Sequence, residues 1–408
     1  MDYARSPMPS MQLASDPTTN SSIFCIPAQP EDMVSDVVRF EFLAEGAANA
    51  VFRILPSEEP ATLSSKRRIG FVFKSKNGQT LSRHSMVSKV LRINKGNPKT
   101  LKCRDIMVGL TCIKSYFRPG PHRTEAMDNY ILIDSPERTQ SFEHFLIDHA
   151  MVELHHEVVE ELMNELHARC PHNGHIALQQ LEACAILLPD LSSIPGSAFT
   201  IEIKPKWLAQ SPDAPRDAFL CRTCALHASR KSEHRPKASY ICPLQLVLGK
   251  ASTIERFLKA YIEEQDDQLS EAHAAIVLKR GVSFLTKGPG HDLLNYLKFL
   301  QTHIAPRVNV PGGALADNEE RKMDVFRIRV AMTLRDCSLF IRIPYIDENA
   351  PIEAKLGDLD LKSESKLLDW KGKEQKLSGG GWYTRMDTEM DHCCLVAQGR
   401  RQWRTKRS

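Results

Sequence analysis

Alternating hydrophobic and polar positions predict a series of strands in the first half of the chain. Period-2 patterns mark residues 37–43 and 50–55, and the small residues between them are typical of a hairpin turn. Short apolar runs predict further strands at 89–93 and 182–188. From about 147 to 169 the apolar residues recur every three or four positions, which predicts an amphipathic helix. This half of the chain is therefore expected to be rich in β-structure.

The second half of the chain mixes both periodicities. In chain order, the pattern predicts a strand at 198–203, helices near 253–265, 269–280 and 292–304, and strands at 326–333 and 339–343. The fold class that follows is α+β, with a β-rich N-terminal part and a larger, mixed C-terminal part.

Shifts in composition divide the chain into four regions. Residues 1–32 are rich in Ser, Pro and Thr and are predicted to be a disordered tail. The β-rich part covers 33–145 and carries an insertion at 56–85, where Pro, Gly and basic residues give turn signals. The mixed part covers 146–370. Residues 371–408 are Gly-rich and basic, and they are predicted to form a flexible tail.

Composition narrows the class of protein. The chain is 42% apolar and 25% charged, as in soluble globular proteins. A net charge of +4 is too small to indicate nucleic-acid binding, so a polyanion site would require local clustering of cations. Eleven cysteines without a secretory signal indicate a reducing compartment, and the expected location is the nucleus or cytoplasm. No apolar stretch is long enough to span a membrane, and neither membrane nor nucleic-acid binding is expected.

The most informative motif is Glu-Ile-Lys-Pro-Lys at 202–206, at the end of a predicted strand. Pro205 cannot donate to a strand ladder, so the strand ends there. Side chains two apart on an extended segment point the same way, which directs Glu202, Lys204 and Lys206 into one space. A carboxylate and two lysines at a strand end are typical of a site for a heavily phosphorylated ligand, although a solvated strand end has the same sequence.

Two further groups of residues are candidates for phosphate chemistry. Small residues at Gly46–Asn49 would let backbone N–H groups approach phosphates, or they form an ordinary hairpin. Arg92, one strand later, is either a phosphate-binding cation or a surface arginine. Asp336 and Asp358 have the oxygen donors that magnesium prefers, although solvated acids would look the same.

A cysteine pair leaves two interpretations open. Cys221-x2-Cys224, with His227 and Cys242 nearby, is compatible with zinc binding. The spacing to Cys242 matches no standard zinc ribbon closely, and buried free cysteines are common. The residues themselves favour free cysteines. One hypothesis for the whole chain is nevertheless a zinc-containing nucleic-acid-binding protein, supported by this pair and by the basic C-terminus.

Taken in order, the motifs resemble the inositol-pentakisphosphate 2-kinase family, in a fungal-type form. The segments that carry the resemblance are Glu45-Gly46-Ala47-Ala48-Asn49, Val90-Leu91-Arg92-Ile93, Glu202-Ile203-Lys204-Pro205-Lys206, Cys242-Pro243-Leu244, Met332-Thr333-Leu334-Arg335-Asp336-Cys337-Ser338 and Asp358-Leu359-Asp360-Leu361-Lys362.

The resemblance implies a two-lobed, distantly protein-kinase-like fold with an inositide-binding region. It also implies transfer of the γ-phosphate of ATP, with Mg²⁺, to the 2-hydroxyl of inositol 1,3,4,5,6-pentakisphosphate, which gives inositol hexakisphosphate (phytate). The protein is expected to act as a monomer.

The resemblance also implies a role for each matching residue. The residues expected on the ATP side are Gly46, Ala47, Ala48, Asn49, Arg92, Asp190, Glu202, Lys204 and Arg256. Lys204 and Asp336 are expected to be catalytic, and Asp336 and Asp358 are expected to hold magnesium. The residues expected to bind inositide phosphates, or to pack beside them, are Lys206, Lys362, Lys366 and Trp370.

Several positions depart from the family pattern and support a second hypothesis. Cys170-Pro171-His172 stands where relatives have an inositide-binding arginine, Gln245 replaces an acid, and Thr253-Ile254 replaces paired asparagines. Lys366 stands where plant members carry arginine. The alternative function is therefore a catalytically impaired scaffold of the same fold that binds inositol phosphates.

Overall fold

The computed structural model of the 408-residue chain describes ten segments. They are residues 23–46, 48–57, 70–96, 101–119, 140–169, 183–230, 237–265, 269–304, 319–386 and 388–405. These residues form two compact units. The first contains the described residues among 1–108, 119–138 and 148–190, and the second contains those among 109–118, 139–147 and 191–408.

Seven strands of the first unit form a closed barrel in the order β1-β4-β2-β3-β5-β7-β6. They are β1 (Ile23–Pro27), β2 (Val38–Glu45), β3 (Asn49–Pro56), β4 (Phe71–Ser75), β5 (Lys89–Asn94), β6 (Ala150–Leu154) and β7 (Cys184–Pro189). All the neighbouring pairs are antiparallel except β1 and β6. Side chains of β3 alternate between buried and half-buried, because successive residues point to opposite faces of the sheet. Phe52 and Ile54 therefore enter the barrel core.

Three helices accompany the barrel strands along the chain. They are α1 (Arg83–Met86), α2 (Cys103–Ser115), whose residues divide between the two units, and α3 (His156–Arg169). Helix α3 packs on the barrel through a stripe of apolar residues that includes Val158, Leu162 and Leu166.

The second unit contains a three-stranded antiparallel sheet in the order β10-β9-β8. Its strands are β8 (Ala198–Ile203), β9 (Ser338–Pro344) and β10 (Glu353–Gly357). Its helices are α4 (Arg222–Ala228), α5 (Pro243–Leu248), α6 (Ala251–Glu264), α7 (Glu271–Thr286), α8 (Pro289–His303), α9 (Glu319–Leu334), α10 (Leu367–Gly379) and α11 (Leu395–Thr405). Gly281 lets α7 lie close to its neighbours, since a Cβ there would come within 3.0 Å of Leu258 and 3.2 Å of Ile343. No helix among the described residues is long and apolar enough to cross a membrane.

The mixed α+β class is confirmed, and so are most predicted elements. Two predicted elements differ from the structure. Residues 326–333 belong to helix α9 and not to a strand, because that helix is buried on most sides and lacks a clear polar face. The long helix predicted from about 147 begins only at His156, since Met151 and Leu154 lie in β6.

The predicted tails and insertion contain ordered structure. Within the predicted N-terminal tail, residues 23–27 form β1, because an apolar run pairs with β4 and β6. The insertion contributes strand β4, and residues 58–69 lie outside the described part of the chain.

The C-terminal region is not a flexible tail within its described residues. Leu377, Tyr383, Met390 and Ala397 are buried in one cluster with four cysteines of the second unit. A few large apolar residues, widely spaced among glycines and charges, are enough to anchor this segment. Residues 1–22 and 406–408 lie outside the described residues.

Candidate functional site

The end of strand β8 positions the predicted lysines. Strand β8 ends at Ile203, and Lys206, three residues later, has a left-handed backbone with φ of 55°. Among the described residues, only Lys206 and Asp358 combine a non-glycine side chain with a positive φ. Such a conformation costs energy and persists where the surrounding structure holds it, most often at functional sites. Both residues belong to the set predicted from the sequence.

Lys204 lies at the centre of a polar cluster. Its Nζ is 3.0 Å from Ser338 Oγ, 3.3 Å from Asp358 Oδ2 and 3.4 Å from Glu202 Oε1. Ser338 Oγ lies 2.8 Å from a carboxylate oxygen of both acids, and its single hydrogen is donated to one of them at a time. Partial burial would lower the pKa of Lys204, but Asp358 and Glu202 outweigh it and raise that pKa. Lys204 is therefore held as an ammonium ion.

Asp336 lies between the two other lysines. Lys206 Nζ is 2.7 Å from its Oδ1, and Lys362 Nζ is 2.7 Å from its Oδ2. Partial burial would raise the pKa of Asp336, but the ammonium groups of Lys362 and Lys206 outweigh it and lower the pKa from 3.8 to about 2. The carboxylate is thus ionised throughout the physiological range. It can accept a hydrogen bond from a hydroxyl or ligate a metal, but it is a weak base.

Gln301 of helix α8 holds two of these segments together. Its amide Nε2 donates to the carbonyls of Lys206 (2.9 Å) and Leu334 (3.1 Å), and its Oε1 accepts from the N–H of Leu208 (2.9 Å). The side chain is buried, so each bond satisfies a backbone group that water does not reach. One amide therefore fixes both the turn at Lys206 and the end of the helix that precedes Asp336.

A pocket of about 1070 Å³ within the second unit is lined by Glu202, Lys204, Lys206, Asp336 and Lys362 of these residues. The basic side chains of its wall are Lys204, Lys206, Arg222, Arg230, Lys237, Lys362, Lys373 and Arg335. Among the described residues, only Glu202 and Asp336 contribute acidic side chains to the lining. Clustered cations in a concave wall produce a strong positive field, which attracts a highly charged anion.

Two buried arginines of this wall stack on the ring of Trp207. The guanidinium carbons of Arg222 and Arg335 lie 4.2 Å and 3.7 Å from the centre of the indole ring. Arg222 is neutralised by buried Glu374, at 2.8 Å. Arg335 forms no salt bridge within the described part of the chain, and its Nε is buried without a hydrogen-bond partner. Burial and nearby Arg222 lower the pKa of Arg335 from 12.5 to about 9.

The structure brings most of the predicted catalytic and inositide residues into this wall. Glu202, Lys204, Lys206, Asp336, Lys362 and Trp370 line the pocket, and Asp358 contacts it through Lys204. Arg256 and Lys366 are exposed and do not appear in the described lining. The predicted residues that line the pocket lie together because they belong to the end of strand β8, to the loops that follow α9 and β10, and to α10.

Sequence reasoning missed much of the basic wall. Arg335 lies within a quoted motif and Trp207 directly follows another, so the motifs themselves could have indicated them. Arg222, Arg230 and Lys237 lie in a stretch whose spacing carries no regular pattern, and only the fold brings them to the pocket.

The predicted small-residue loop lies in the first unit, at the turn between β2 and β3. Gly46 N–H donates to the carbonyl of Asn49 (2.8 Å), so the segment is a tight hairpin. A Cβ at Gly46 would meet nothing within 4 Å, so open space surrounds that position. Ala48 accepts from the N–H of Lys95, and Ala47 lies outside the described residues.

Arg92 and Asp190 also belong to the first unit. Arg92 is buried on β5, paired with Val51 of β3 and Ile186 of β7, so it is not a surface arginine. Asp190 follows β7 and accepts a 3.3 Å bond from Arg53 Nε. The first unit therefore contains the Gly46–Asn49 turn, Arg92 and Asp190, and each lies on or next to a barrel strand.

The pocket of the second unit has the excess of basic side chains that suits an anionic ligand, and its carboxylates are donors of the type that divalent cations prefer. The family model of the inositol-pentakisphosphate 2-kinases matches residues 42–376, and the chain belongs to this family. It is similar to an inositol-pentakisphosphate 2-kinase of Yarrowia lipolytica (strain CLIB 122 / E 150), with 31% identity over 203 residues. The aligned region covers 49% of this chain and 57% of the relative's length.

Proposed function

We propose that this protein transfers the γ-phosphate of ATP to the 2-hydroxyl of inositol 1,3,4,5,6-pentakisphosphate and releases inositol hexakisphosphate. Membership of the family supports a kinase that acts on inositol phosphates. The observation that carries the proposal is one pocket in which Asp336 lies among eight lysine and arginine side chains. A pentakisphosphate needs several converging cations, whereas an ordinary metabolite does not.

Substrate phosphates would bind by replacing Asp336 as the partner of a lysine. Lys206 and Lys362 each bond to Asp336, whose side chain is about half exposed. An exposed ion pair of this kind is worth only about 0–1 kcal/mol. A phosphate can therefore take either ammonium group from Asp336 at little cost. Arg335 offers a buried guanidinium that forms no salt bridge with the described residues, so it would gain from a bound anion.

Asp336 would orient the accepting hydroxyl. A carboxylate with a pKa of about 2 is a poor proton acceptor, so positioning is a better account of its role than strong base catalysis. Phosphoryl transfer depends mainly on alignment and charge neutralisation, which suits such a group. Lys204, held as an ammonium ion by Asp358 and Glu202, would neutralise charge on the transferred group.

The carboxylates fit magnesium by donor type, since Asp336 and Asp358 offer the hard oxygens it prefers. When bound there, magnesium would neutralise charge on the nucleotide phosphates. Because Lys204, Lys206 and Lys362 now bond to those oxygens, some of them would have to turn toward phosphate.

The ATP-side roles come from the family resemblance. We assign Gly46, Ala47, Ala48, Asn49 and Arg92 to the ATP phosphates and Asp190 to the adenosine, with Glu202, Lys204 and Arg256 on the same side. A distantly kinase-like, two-lobed arrangement, a monomeric state and a nuclear or cytoplasmic location belong to the same proposal.

The proposal is tested by incubation of the purified protein with ATP, magnesium and inositol 1,3,4,5,6-pentakisphosphate. Products are separated by anion-exchange chromatography, and hexakisphosphate is expected. Absence of hexakisphosphate under these conditions would overturn the proposal.

A second candidate is a scaffold that binds inositol phosphates without turnover. The observation in its favour is that both oxygens of Asp336 are bonded to lysines. Calorimetric binding of the pentakisphosphate without any product would support this alternative.

A further inference from the structure

Four cysteines of the second unit converge on one point outside the proposed reaction. Cys221, Cys224, Cys242 and Cys394 are buried, and their sulfur atoms all lie within 4.8 Å of one another. They come from three separate stretches of chain: the start of α4, the residue before α5 and the residue before α11. Cys394 is 173 residues from Cys221 in sequence. Scattered core cysteines have no physical reason to bring four sulfur atoms together in this way.

The sulfur spacing is that of a single metal ion. Zinc–sulfur bonds are about 2.3 Å, and the edges of a tetrahedron of that size are roughly 3.8 Å. Cys221 Sγ and Cys242 Sγ are 3.7 Å apart. A disulfide would require about 2.05 Å, and these cysteines are free.

Hydrogen-bond donors lie next to the cysteine sulfur atoms, and thiolates accept such bonds. The backbone N–H of Cys221 donates to Cys394 Sγ (3.2 Å), and that of Cys224 donates to Cys221 Sγ (3.5 Å). The Tyr240 hydroxyl lies 3.3 Å from Cys224 Sγ. Hydrogen bonds of this kind stabilise metal-bound thiolates and orient them.

We propose that Cys221, Cys224, Cys242 and Cys394 bind one zinc ion in a closed, four-thiolate site. Four protein ligands leave no open position for a substrate, so the role is structural. The site joins the C-terminal segment to the part of the chain that contains Arg222, Arg230 and Lys237. Its function is to hold that basic stretch in the pocket wall. The proposal does not depend on the kinase reaction.

The first test is metal analysis of the purified full-length protein by mass spectrometry. We expect about one zinc ion per chain, lost in Cys394→Ser and Cys242→Ser. The matched control is Cys393→Ser, one position away, and Cys25→Ser in the barrel is a second; both should keep zinc at the wild-type level. Wild-type protein without zinc, or with iron in its place, would overturn the proposal. Loss of zinc in Cys393→Ser with retention in Cys394→Ser would also overturn the proposed ligand set.

A second measurement uses the wild-type chain, so that it does not depend on the folding of a variant. Replacement by cobalt(II) should give the visible bands of tetrahedral thiolate coordination and sulfur-to-metal charge transfer. Four thiols that are protected before chelation should become reactive after it. Weak bands of octahedral cobalt, or four thiols that react equally before and after chelation, would contradict the site.

A third measurement tests the structural role. Chelation should lower the thermal unfolding midpoint of the wild-type protein, and zinc should restore it, because the metal binds only the folded site. An unchanged midpoint after complete zinc removal would refute that role.

Discussion

Two parts of the same pocket handle charge in opposite ways. In the lysine–carboxylate network, formed by Lys204, Lys206 and Lys362 with their acidic partners, every lysine is paired. The Lys206 and Asp336 side chains are 37% and 48% exposed. In the arginine–tryptophan stack, Arg335 is 4% exposed and lacks a carboxylate partner among the described residues. The first part is partly exposed to solvent, and the second is buried.

The difference shows two ways of preparing a site for an anion. Exposed ion pairs are nearly neutral in energy, so a ligand can replace one partner. A buried cation without a counter-charge is costly in the free protein, and an anionic ligand would relieve that cost. We therefore expect the network to control catalysis and the stack to control binding.

The largest effect is expected from Asp336→Asn in the network. Loss of the charge removes both salt bridges and the hydroxyl-orienting carboxylate, and we expect turnover to fall roughly 10²–10⁴-fold. Steady-state kinetics and circular dichroism would measure activity and folding. The matched control is Asp324→Asn, an acid of α9 that pairs with Arg327, and it should keep wild-type turnover. Near-normal turnover of Asp336→Asn would contradict its assignment.

Arg335→Met should separate binding from stability. Methionine fills a similar volume without the buried charge, so the free energy of unfolding should change little. Loss of a charge-assisted contact of about 1.5–3 kcal/mol should weaken inositide binding by roughly 10–100-fold. Urea unfolding and calorimetry would measure the two quantities.

Arg335→Lys provides the matched comparison for the stack. It keeps the charge but not the planar fork, and it should recover only part of the affinity. A methionine variant that unfolds readily but binds normally would reverse the expected pattern.

A smaller effect is expected from Lys206→Ala. Its phosphate contact would be lost while the Asp336–Lys362 pair remains, so the KM for the inositide should rise more than the KM for ATP. Initial rates at varied concentrations of each substrate would measure both constants, with Lys259→Ala on α6 as the surface control. A larger rise in the KM for ATP would move Lys206 to the nucleotide side.

The smallest effect concerns pH. The folded pKa of Asp336, about 2, lies below its ordinary value of 3.8, so its ion pairs add stability that is present above pH 3.8. That contribution is lost as the pH falls from 3.8 through about 2. Because the carboxylate is half exposed, we expect less than about 1 kcal/mol.

The check is the difference in unfolding free energy between the wild type and Asp336→Asn, measured by urea unfolding from pH 7 downward. The difference should be constant to about pH 4 and then shrink. A difference that disappears between pH 7 and pH 5 would show that another group is responsible.

Local patterning predicted the elements whose polar and apolar faces are distinct. Strands β2, β3 and β8 and helix α6 were predictable, because each has one face in a core and one face outside it. Strand β5 is buried along almost its whole length and was predictable as a short apolar run. The alternation of Ile328, Val330 and their arginine neighbours imitates a strand. Burial on most sides hides the helical period of α9, so tertiary packing decided that element.

The candidate site was predictable where its residues lie within motifs. Glu202, Lys204 and Lys206 share a strand end, and Asp336 and Lys362 belong to recognisable segments. Arg222 was not predictable, since its buried ion pair is with Glu374, far along the chain, and no local pattern indicates that contact.

The sequence by itself determined the α+β class, the lysine-rich strand end and the family, because each depends on residues close together in the chain. Only the tertiary structure decided that Arg335 would be buried beside Trp207 and that Cys394 would join three cysteines. Both depend on contacts between distant segments. Such contacts form where the gain from burial and packing exceeds the entropy of closing a long loop, and no local pattern records that balance.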